Sequence, residues 1–228
     1  MLERGDLKVF HEPFIHLYYL GDAKKVLKYF EPEPTHPTSY RGIRDMILHA
    51  SEKRPIFVKD MSYYVSDYIR RDPAFVGRVH NTFLIRNPEK SIPSYYRLDD
   101  EVTLEEIGLE AQYRHFEWVK QVTGKTPIVI DADDVQANTE AAMRVYSDAL
   151  GLEFYPSALV SKKPMPSEWQ FVAGWHSDMA KTSGIGEAET GRTKEAVSLD
   201  SAPHLRGYHE HHLPFYRALR EHRLEVSR

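Results

Sequence analysis

Four short apolar runs, separated by longer amphipathic stretches, constrain the fold of this 228-residue chain more than any other feature. The runs are 7–10, 55–59, 79–85 and 127–131. Runs without a strict apolar–polar alternation are typical of strands that are buried on both faces. Strands that alternate with helices along a chain form a parallel sheet covered by those helices. The sequence therefore predicts an α/β fold, a three-layer sandwich with a central parallel sheet.

The stretches between these runs carry helix signals. Residues 39–53 place apolar side chains three and four positions apart, which is the spacing of one helix face. Thr103 and Glu106 form the capping-box pattern that opens a helix, and Gly151 follows a helical stretch as a C′ stop. Helices are predicted over 39–53, through 94–96, from the capping box onward, over 139–150 and over 204–223.

Composition narrows the class of protein. The chain contains no cysteine, which excludes disulfides and thiolate metal sites and suits a reducing compartment. Its 30 basic and 34 acidic residues give a formal net charge of −4, whereas nucleic-acid-binding domains usually carry a basic excess. The first residues lack the apolar core of a secretory signal, and no run approaches the ~20 apolar residues of a membrane span. We expect a cytoplasmic protein without a nucleic-acid or membrane partner.

The chain has no internal repeat and no break in its strand–helix rhythm. Residues 1–228 are therefore predicted to form a single domain. Residues 183–202 are rich in Gly, Ser, Thr and charged side chains without a clear period, which predicts a flexible surface loop.

The most informative segment is 86–97, which starts where an apolar strand ends. Open α/β sheets bind ligands at the carboxyl ends of their strands. Arg86 would offer a charge-assisted fork to a phosphate there, and Ser94, about two helical turns later, would add a hydroxyl donor. The alternative is that Arg86 pairs with a carboxylate and that Ser94 faces solvent.

The segment also resembles a known motif. The strand Thr82-Phe-Leu-Ile-Arg86, with Ser94 eight residues later and two tyrosines behind it, is similar to the 3′-phosphate-binding motif of sulfotransferases that use PAPS, 3′-phosphoadenosine 5′-phosphosulfate. Weaker similarities to bacterial sulfotransferase-like proteins follow in order at 10–14, 57–61, 169–184 and 213–224. The resemblance implies a P-loop NTPase-like sulfotransferase fold, PAPS as co-substrate held by Arg86 and Ser94, and no metal.

One part of the family pattern is missing. The family opens with a strand, a Gly- or Ser-containing phosphate loop and a helix, and the loop amides cradle the 5′-phosphosulfate. Residues 1–4 resemble the end of that helix, and no Gly-x-x-x-x-Gly-Lys-[Ser/Thr] sequence occurs elsewhere. We therefore expect an N-terminally shortened fold, through truncation, a misassigned start codon or loss of the loop in this lineage. Such a fold would expose part of the sheet, which a homodimer could cover.

Three residues are candidates for the chemical step. Sulfuryl transfer needs in-line placement, a base for the acceptor and cations near the leaving oxygens. Lys59 ends a predicted strand, where its ammonium would neutralise charge on the leaving phosphate; otherwise it is a solvated surface lysine. Related sulfotransferases use a Glu or His near the acceptor, so the resemblance implies Glu12 as the base and His11 as the weaker alternative. Glu12 could instead be a structural carboxylate bonded to backbone amides.

A metal site is conceivable at His209-Glu-His-His212, where two histidines share a helix face. A zinc site needs three or four convergent ligands, and terminal histidine clusters are more often solvated polar faces. We expect no metal.

These features favour transfer of a sulfuryl group from PAPS to a hydroxyl or amine of a small metabolite. A P-loop-type small-molecule kinase is the enzymatic alternative, with Asp131, Asp133 and Asp134 as Mg²⁺ carboxylates, but the loop that would supply its lysine is missing. A non-catalytic nucleotide-binding or interaction domain is the third.

Overall fold

The computed structural model describes residues 1–22, 26–160, 167–176 and 197–226. The chain divides into two compact units. The first contains Met1–Val65 and Tyr155–Glu187, and the second contains Ser66–Phe154 and Ala188–Arg228. The single domain over 1–228 stays a prediction.

Each unit contains one pair of parallel strands. In the first unit, β1 (Lys8–His11) pairs with β2 (Ile56–Lys59), with His11 opposite Lys59. In the second unit, β3 (Thr82–Ile85) pairs with β4 (Ile128–Asp131). All four strands lie within the predicted runs or within one residue of them. The α/β class with parallel strands is therefore confirmed, and the three-layer sandwich around one central sheet stays a prediction.

The helices of the first unit follow its strands. A short α1 (Ile15–Leu17) continues into a π turn at Tyr18–Asp22. The predicted helix over 39–53 is α2 (Tyr40–Ser51), and the Ser39 hydroxyl caps it by accepting the Gly42 amide at 3.2 Å. The other helical segments are the start of α3 (Ser62–Ile69) and the 3₁₀ segments Leu2–Arg4, Pro156–Leu159 and Ser167–His176.

The second unit is mostly helical. Its helices are α4 (Pro73–Val76), α5 (Pro88–Leu98), α6 (Leu109–Thr123), α7 (Ala132–Ala137), α8 (Thr139–Ala149) and α9 (Pro203–Arg220). Its core packs the buried faces of β3 and β4 against side chains of the two longest helices, α6 and α9, with Phe116 and Leu219 fully buried.

The predicted capping box forms, but it does not open the long helix. The Glu106 carboxylate accepts the Thr103 amide at 2.8 Å, and the Glu106 amide reaches the Thr103 hydroxyl at 3.4 Å. These contacts close one 3₁₀ turn, Glu105–Ile107. Gly108 then adopts a left-handed φ of 78°, which ends the turn, and α6 begins at Leu109. The predicted start of this helix was therefore wrong by about a turn.

The predicted stop at Gly151 is confirmed. Gly151 has a φ of 65° and donates to the Asp148 carbonyl at 3.0 Å, while Leu152 donates to the Ser147 carbonyl at 2.9 Å. This pair of bonds is the Schellman motif that ends a helix with a left-handed residue.

The predicted loop over 183–202 is described only in part, because residues 183–196 lie outside the described residues, as does the Thr182-Ser183-Gly184 turn. At its described end, Ala202 packs with Ile92 and Leu205. Across the described part of the chain, no helix is both long and apolar enough to cross a membrane.

Candidate active-site residues

Glu12 and Lys59 meet at the carboxyl ends of β1 and β2. Lys59 is the last residue of β2, and Glu12 follows the last residue of β1. The Lys59 ammonium contacts the Glu12 Oε1 atom as a hydrogen-bonded ion pair. The lysine side chain is 38% exposed and the glutamate side chain 10%, so the pair is reached from solvent mainly from the lysine side.

The second oxygen of Glu12 has a partner that the sequence did not predict. The Tyr64 hydroxyl donates to Glu12 Oε2 at 3.4 Å, from the first turn of α3. The Glu12 amide also donates to the Lys59 carbonyl at 2.6 Å, which extends the strand pairing by one residue. Glu12 is buried, and its φ of 47° lies in the left-handed region that non-glycine residues seldom adopt.

His11 lies near the same Glu12 oxygen that Lys59 contacts. Its Nε2 atom is 3.6 Å from Glu12 Oε1, and its ring centroid is 5.5 Å from that of Trp169 and 6.3 Å from that of Phe171. Two residues of the aromatic segment at 169–175 thus contact a candidate catalytic residue within the first unit.

Asp60, the residue after Lys59, binds backbone amides with both oxygens. Oδ2 accepts the Phe14 amide at 2.9 Å, and Oδ1 accepts the Met61 amide at 2.9 Å. Burial raises the pKa of Asp60 to about 8 and the Glu12 carboxylate adds to the rise, while the two amides and Lys59 act in the opposite direction. Asp60 thus binds backbone amides, and Glu12 contacts the side chains of Lys59 and Tyr64.

This arrangement is suited to moving a proton. A buried carboxylate beside an ammonium and a phenol can accept a proton from an acceptor hydroxyl, and the ammonium can then interact with a departing anion. The structure brings Glu12, Lys59 and His11 together; their catalytic roles stay predictions.

Arg86 lies in the second unit, immediately after β3 and before the N-terminus of α5. Among the residues that the structure describes, its guanidinium makes no hydrogen bond or ion pair. The nearby Asp133 is engaged by Lys90, whose ammonium lies 2.9 Å from Oδ2. Partial desolvation lowers the pKa of Arg86, Asp133 opposes this, and the charge of Arg97 adds to it. The alternative of an Arg86–carboxylate pair therefore finds no support in the described residues.

Ser94 lies in the middle of α5 and is half-buried. Its hydroxyl makes no hydrogen bond to any of the described residues, which leaves a donor for a ligand. The helix carrying it is fixed at its start, because Asn87 caps it by accepting the Glu89 amide at 3.0 Å and Pro88 occupies the first helical position. Lys90 and Arg97 lie four residues before and three residues after Ser94, on the same helix face.

Two of the α9 histidines, His211 and His212, are held by neighbouring residues. His212 is buried and its Nε2 atom is 2.8 Å from the Leu104 carbonyl, while His211 Nε2 is 2.8 Å from Glu110 Oε2. No group of three or more potential metal ligands occurs among the described residues.

The three aspartates considered for Mg²⁺ all have protein partners. Asp131 accepts hydrogen bonds from the Tyr216 hydroxyl at 2.8 Å and from Arg220 at 3.3 Å. Asp133 pairs with Lys90, and Asp134 pairs with Arg223 at 3.1 Å.

Sequence reasoning missed the hydrogen bond from Tyr64 to Glu12, the amide contacts of Asp60 and the proximity of Arg97 to Arg86. Lys90 and Arg97 could have been found from their helical spacing around Ser94. Tyr64 and Asp60 carry no such signal, because their partners are 52 and 46 residues away in the sequence.

Comparison with known proteins identifies the family. A sulfotransferase domain family matches residues 1–223, so the chain belongs to the sulfotransferase domain family. Two curated relatives from Arabidopsis thaliana are similar: branched-chain-amino-acid aminotransferase-like protein 2, 25% identical over 82% of this chain, and branched-chain-amino-acid aminotransferase-like protein 1, 27% identical over 79%. The matches cover 33% and 31% of those relatives, so the chain spans about a third of their length. No solved structure matches significantly.

Proposed function

We propose that this protein transfers a sulfuryl group from PAPS to a hydroxyl or amine of a small metabolite in the cytoplasm. Membership of the sulfotransferase domain family supports a transferase of this class. The observation that carries the donor assignment is Arg86, a strand-end cation without a hydrogen bond or ion pair among the described residues, followed by a helix whose Ser94 hydroxyl also has no partner there. These two groups fit a phosphate, which accepts charge-assisted hydrogen bonds from both.

The proposed division of work follows from the chemistry of each side chain. Arg86 and Ser94 bind the 3′-phosphate and fix the position of the donor. Glu12 accepts the proton of the acceptor hydroxyl or amine, and Lys59 offers positive charge to the leaving phosphate oxygen. PAPS supplies the sulfuryl group, and 3′,5′-adenosine bisphosphate is the second product.

The finer features of the fold belong to the same proposal. We expect a single P-loop NTPase-like domain built on a three-layer sandwich, because that architecture accompanies the motif at 82–94 in the sulfotransferases it resembles. A kinase role has less support, since Asp131, Asp133 and Asp134 are each bound to other side chains.

Calorimetric titration with 3′,5′-adenosine bisphosphate tests the donor site without knowledge of the acceptor. We expect micromolar binding to the unmodified chain. Arg86→Ala should weaken it about tenfold or more, equivalent to about 1.4 kcal/mol, and Ser94→Ala should weaken it less, because a neutral donor contributes less than a charged one. Arg78→Ala is the matched control, since Arg78 is an exposed arginine of the same unit, eight residues before Arg86.

The titrations distinguish a donor site at Arg86 from a general charge effect and from a non-catalytic nucleotide-binding domain. Binding that is lost in Arg86→Ala and retained in Arg78→Ala supports the donor site and justifies a screen of phenols, alcohols and amines as acceptors. Equal weakening in both variants would indicate a general charge effect and would remove the assignment of Arg86. Binding without turnover of PAPS by any acceptor would favour a nucleotide-binding domain over an enzyme.

A further inference from the structure

The backbone conformation of Glu12 needs an external support. A φ of 47° is unfavourable for a residue with a Cβ atom, and such conformations persist where surrounding contacts enforce them, often at functional sites. The conformation matters here because it sets the direction in which the Glu12 side chain leaves the end of β1 toward Lys59.

The Lys59 carbonyl, the Ile15 amide and the Asp60 side chain each make one contact that holds this turn. The Glu12 amide is held by the Lys59 carbonyl at 2.6 Å, on the strand side. C-terminal to Glu12, the next residue is Pro13, which has no amide hydrogen. Phe14 therefore carries the first amide donor after Glu12. That amide donates to Asp60 Oδ2 at 2.9 Å.

The other oxygen of Asp60 fixes the carboxylate itself. Oδ1 accepts the Met61 amide at 2.9 Å, so Asp60 is held where β2 ends and α3 is about to begin. The Asp60 side chain therefore binds both the segment that follows Glu12 and the segment that follows Lys59. Two hydrogen bonds from backbone amides leave Asp60 little freedom to move toward Lys59.

We propose that Asp60 is a positioning residue, which fixes the turn after Glu12 so that the Glu12 carboxylate meets Lys59 and Tyr64. Its consequence for catalysis rests on the proposed function. Asp60 does not itself touch the reacting atoms in this proposal; it acts through Glu12.

Asp60→Asn is the first test, because the amide side chain keeps one acceptor oxygen and replaces the other with a donor that cannot accept an amide. With PAPS and an acceptor found in the screen, we expect kcat to fall about tenfold or more with little change in the KM for PAPS. In a double-mutant cycle with Glu12→Gln, adding Asp60→Asn should cause little further loss, since both substitutions act on one carboxylate. Independent, multiplicative losses would overturn the proposal.

A second measurement does not depend on turnover. The ring of Tyr64, labelled with ¹³C at Cζ and assigned with Tyr64→Phe, reports the hydrogen bond to Glu12 Oε2. We expect Asp60→Asn and Glu12→Gln to move this resonance in the same direction. Asp72→Asn is the control: it alters an aspartate that caps α4 by accepting the Phe75 amide at 3.1 Å, and it should leave Tyr64 unchanged.

The kinetic and NMR measurements distinguish the proposed sulfuryl transfer from the proposed positioning role of Asp60. If no acceptor is turned over but Asp60→Asn moves the Tyr64 resonance, the positioning of Glu12 stands and the transfer reaction does not. If Glu12→Gln moves the resonance and Asp60→Asn leaves it in place, the positioning role is wrong whatever the activity. Should Asp60→Asn not fold, Asp60→Glu serves instead, because it keeps both carboxyl oxygens and displaces them by one methylene.

Discussion

The Glu12 carboxylate contacts the Lys59 ammonium where two neighbouring parallel strands end. The residues are 47 positions apart in the sequence, and the pairing of His11 with Lys59 brings them together. Because parallel strands end at the same edge of a sheet, residues that follow each strand become neighbours.

Loss of the Glu12 carboxylate should abolish most turnover of PAPS. We expect Glu12→Gln to lower kcat by roughly 10²-fold or more, which is the usual contribution of a general base. Binding of 3′,5′-adenosine bisphosphate should persist, because the proposed phosphate ligands are Arg86 and Ser94. Steady-state kinetics and calorimetry on the same preparations check both statements; a variant with full kcat would exclude Glu12 as the base.

Lys59→Met should also lower kcat, since it removes the charge opposite Glu12 while keeping a similar side-chain length. The matched control is Lys53→Met, which alters an exposed lysine near the end of α2. The measurement is kcat for PAPS turnover by Lys59→Met and by Lys53→Met. Equal activity of both would show that the lysine at position 59 is a solvated surface residue.

The positive φ of Glu12 predicts that a glycine at this position gives a more stable protein than an alanine. Glu12→Gly and Glu12→Ala both remove the carboxylate, but only glycine relieves a φ of 47°. The left-handed conformation disfavours a residue with a Cβ by about 1–2 kcal/mol, and glycine loses roughly 0.5–1 kcal/mol more backbone entropy on folding. We therefore expect Glu12→Gly to be more stable than Glu12→Ala by roughly 0.5–1 kcal/mol in urea unfolding. At His49, an exposed position in α2, the order should reverse.

Gly174 is predicted to be intolerant of a side chain. A Cβ there would lie 2.4 Å from Cγ and 2.6 Å from Cβ of Tyr29, which is the fixed part of that side chain. Gly174→Ala should destabilise the protein by about 1–3 kcal/mol through overpacking. Gly207→Ala is the control, because the space around Gly207 in α9 is open and alanine is the better helix former. Thermal unfolding compares them, and Tyr29→Gly should rescue Gly174→Ala if the clash is the cause.

Two buried histidines predict a loss of stability in acid. Burial and the charge of His36 lower the pKa of His16 to about 4, and burial and the charge of Arg70 lower the pKa of His115 to about 4. Both pKa values lie below 6.5, the ordinary value for histidine, so the stabilising effect is complete above pH 6.5 and is lost as the pH falls toward 4. Between pH 7 and 5 we expect a loss of about 2 kcal/mol for each histidine.

Urea unfolding of His115→Phe across this pH range tests the effect, because phenylalanine suits a site between Phe83 and Trp118 and does not titrate. Its unfolding free energy should depend less on pH than that of the unmodified chain. His80→Gln, at an exposed position, should leave the pH dependence as it is. An unchanged dependence in His115→Phe would show that this histidine is not protonated on unfolding.

Local features were predicted well where the cause was itself local. The Gly151 stop needs only a left-handed residue after a helix, and the bonds of Gly151 and Leu152 form as expected. The capping box also formed, but the long helix begins later than predicted, at Leu109, because the left-handed Gly108 ends the turn that the box opens. A capping pattern predicts a turn; whether a long helix follows depends on the residues after it.

The sequence by itself determined the strands and most of the helices, and it indicated Arg86, Ser94 and Lys59 as candidates. Glu12 and His11 were added by the resemblance to sulfotransferases. Apolar runs, helical spacing and strand-end residues act over a few positions, so they can be recognised along the chain. Only the tertiary structure decided that Glu12 adopts a left-handed φ, that Tyr64 donates to its carboxylate and that Asp60 binds the Phe14 amide. These contacts depend on strand register and on residues about fifty positions apart, and no local pattern specifies which of many such residues will meet.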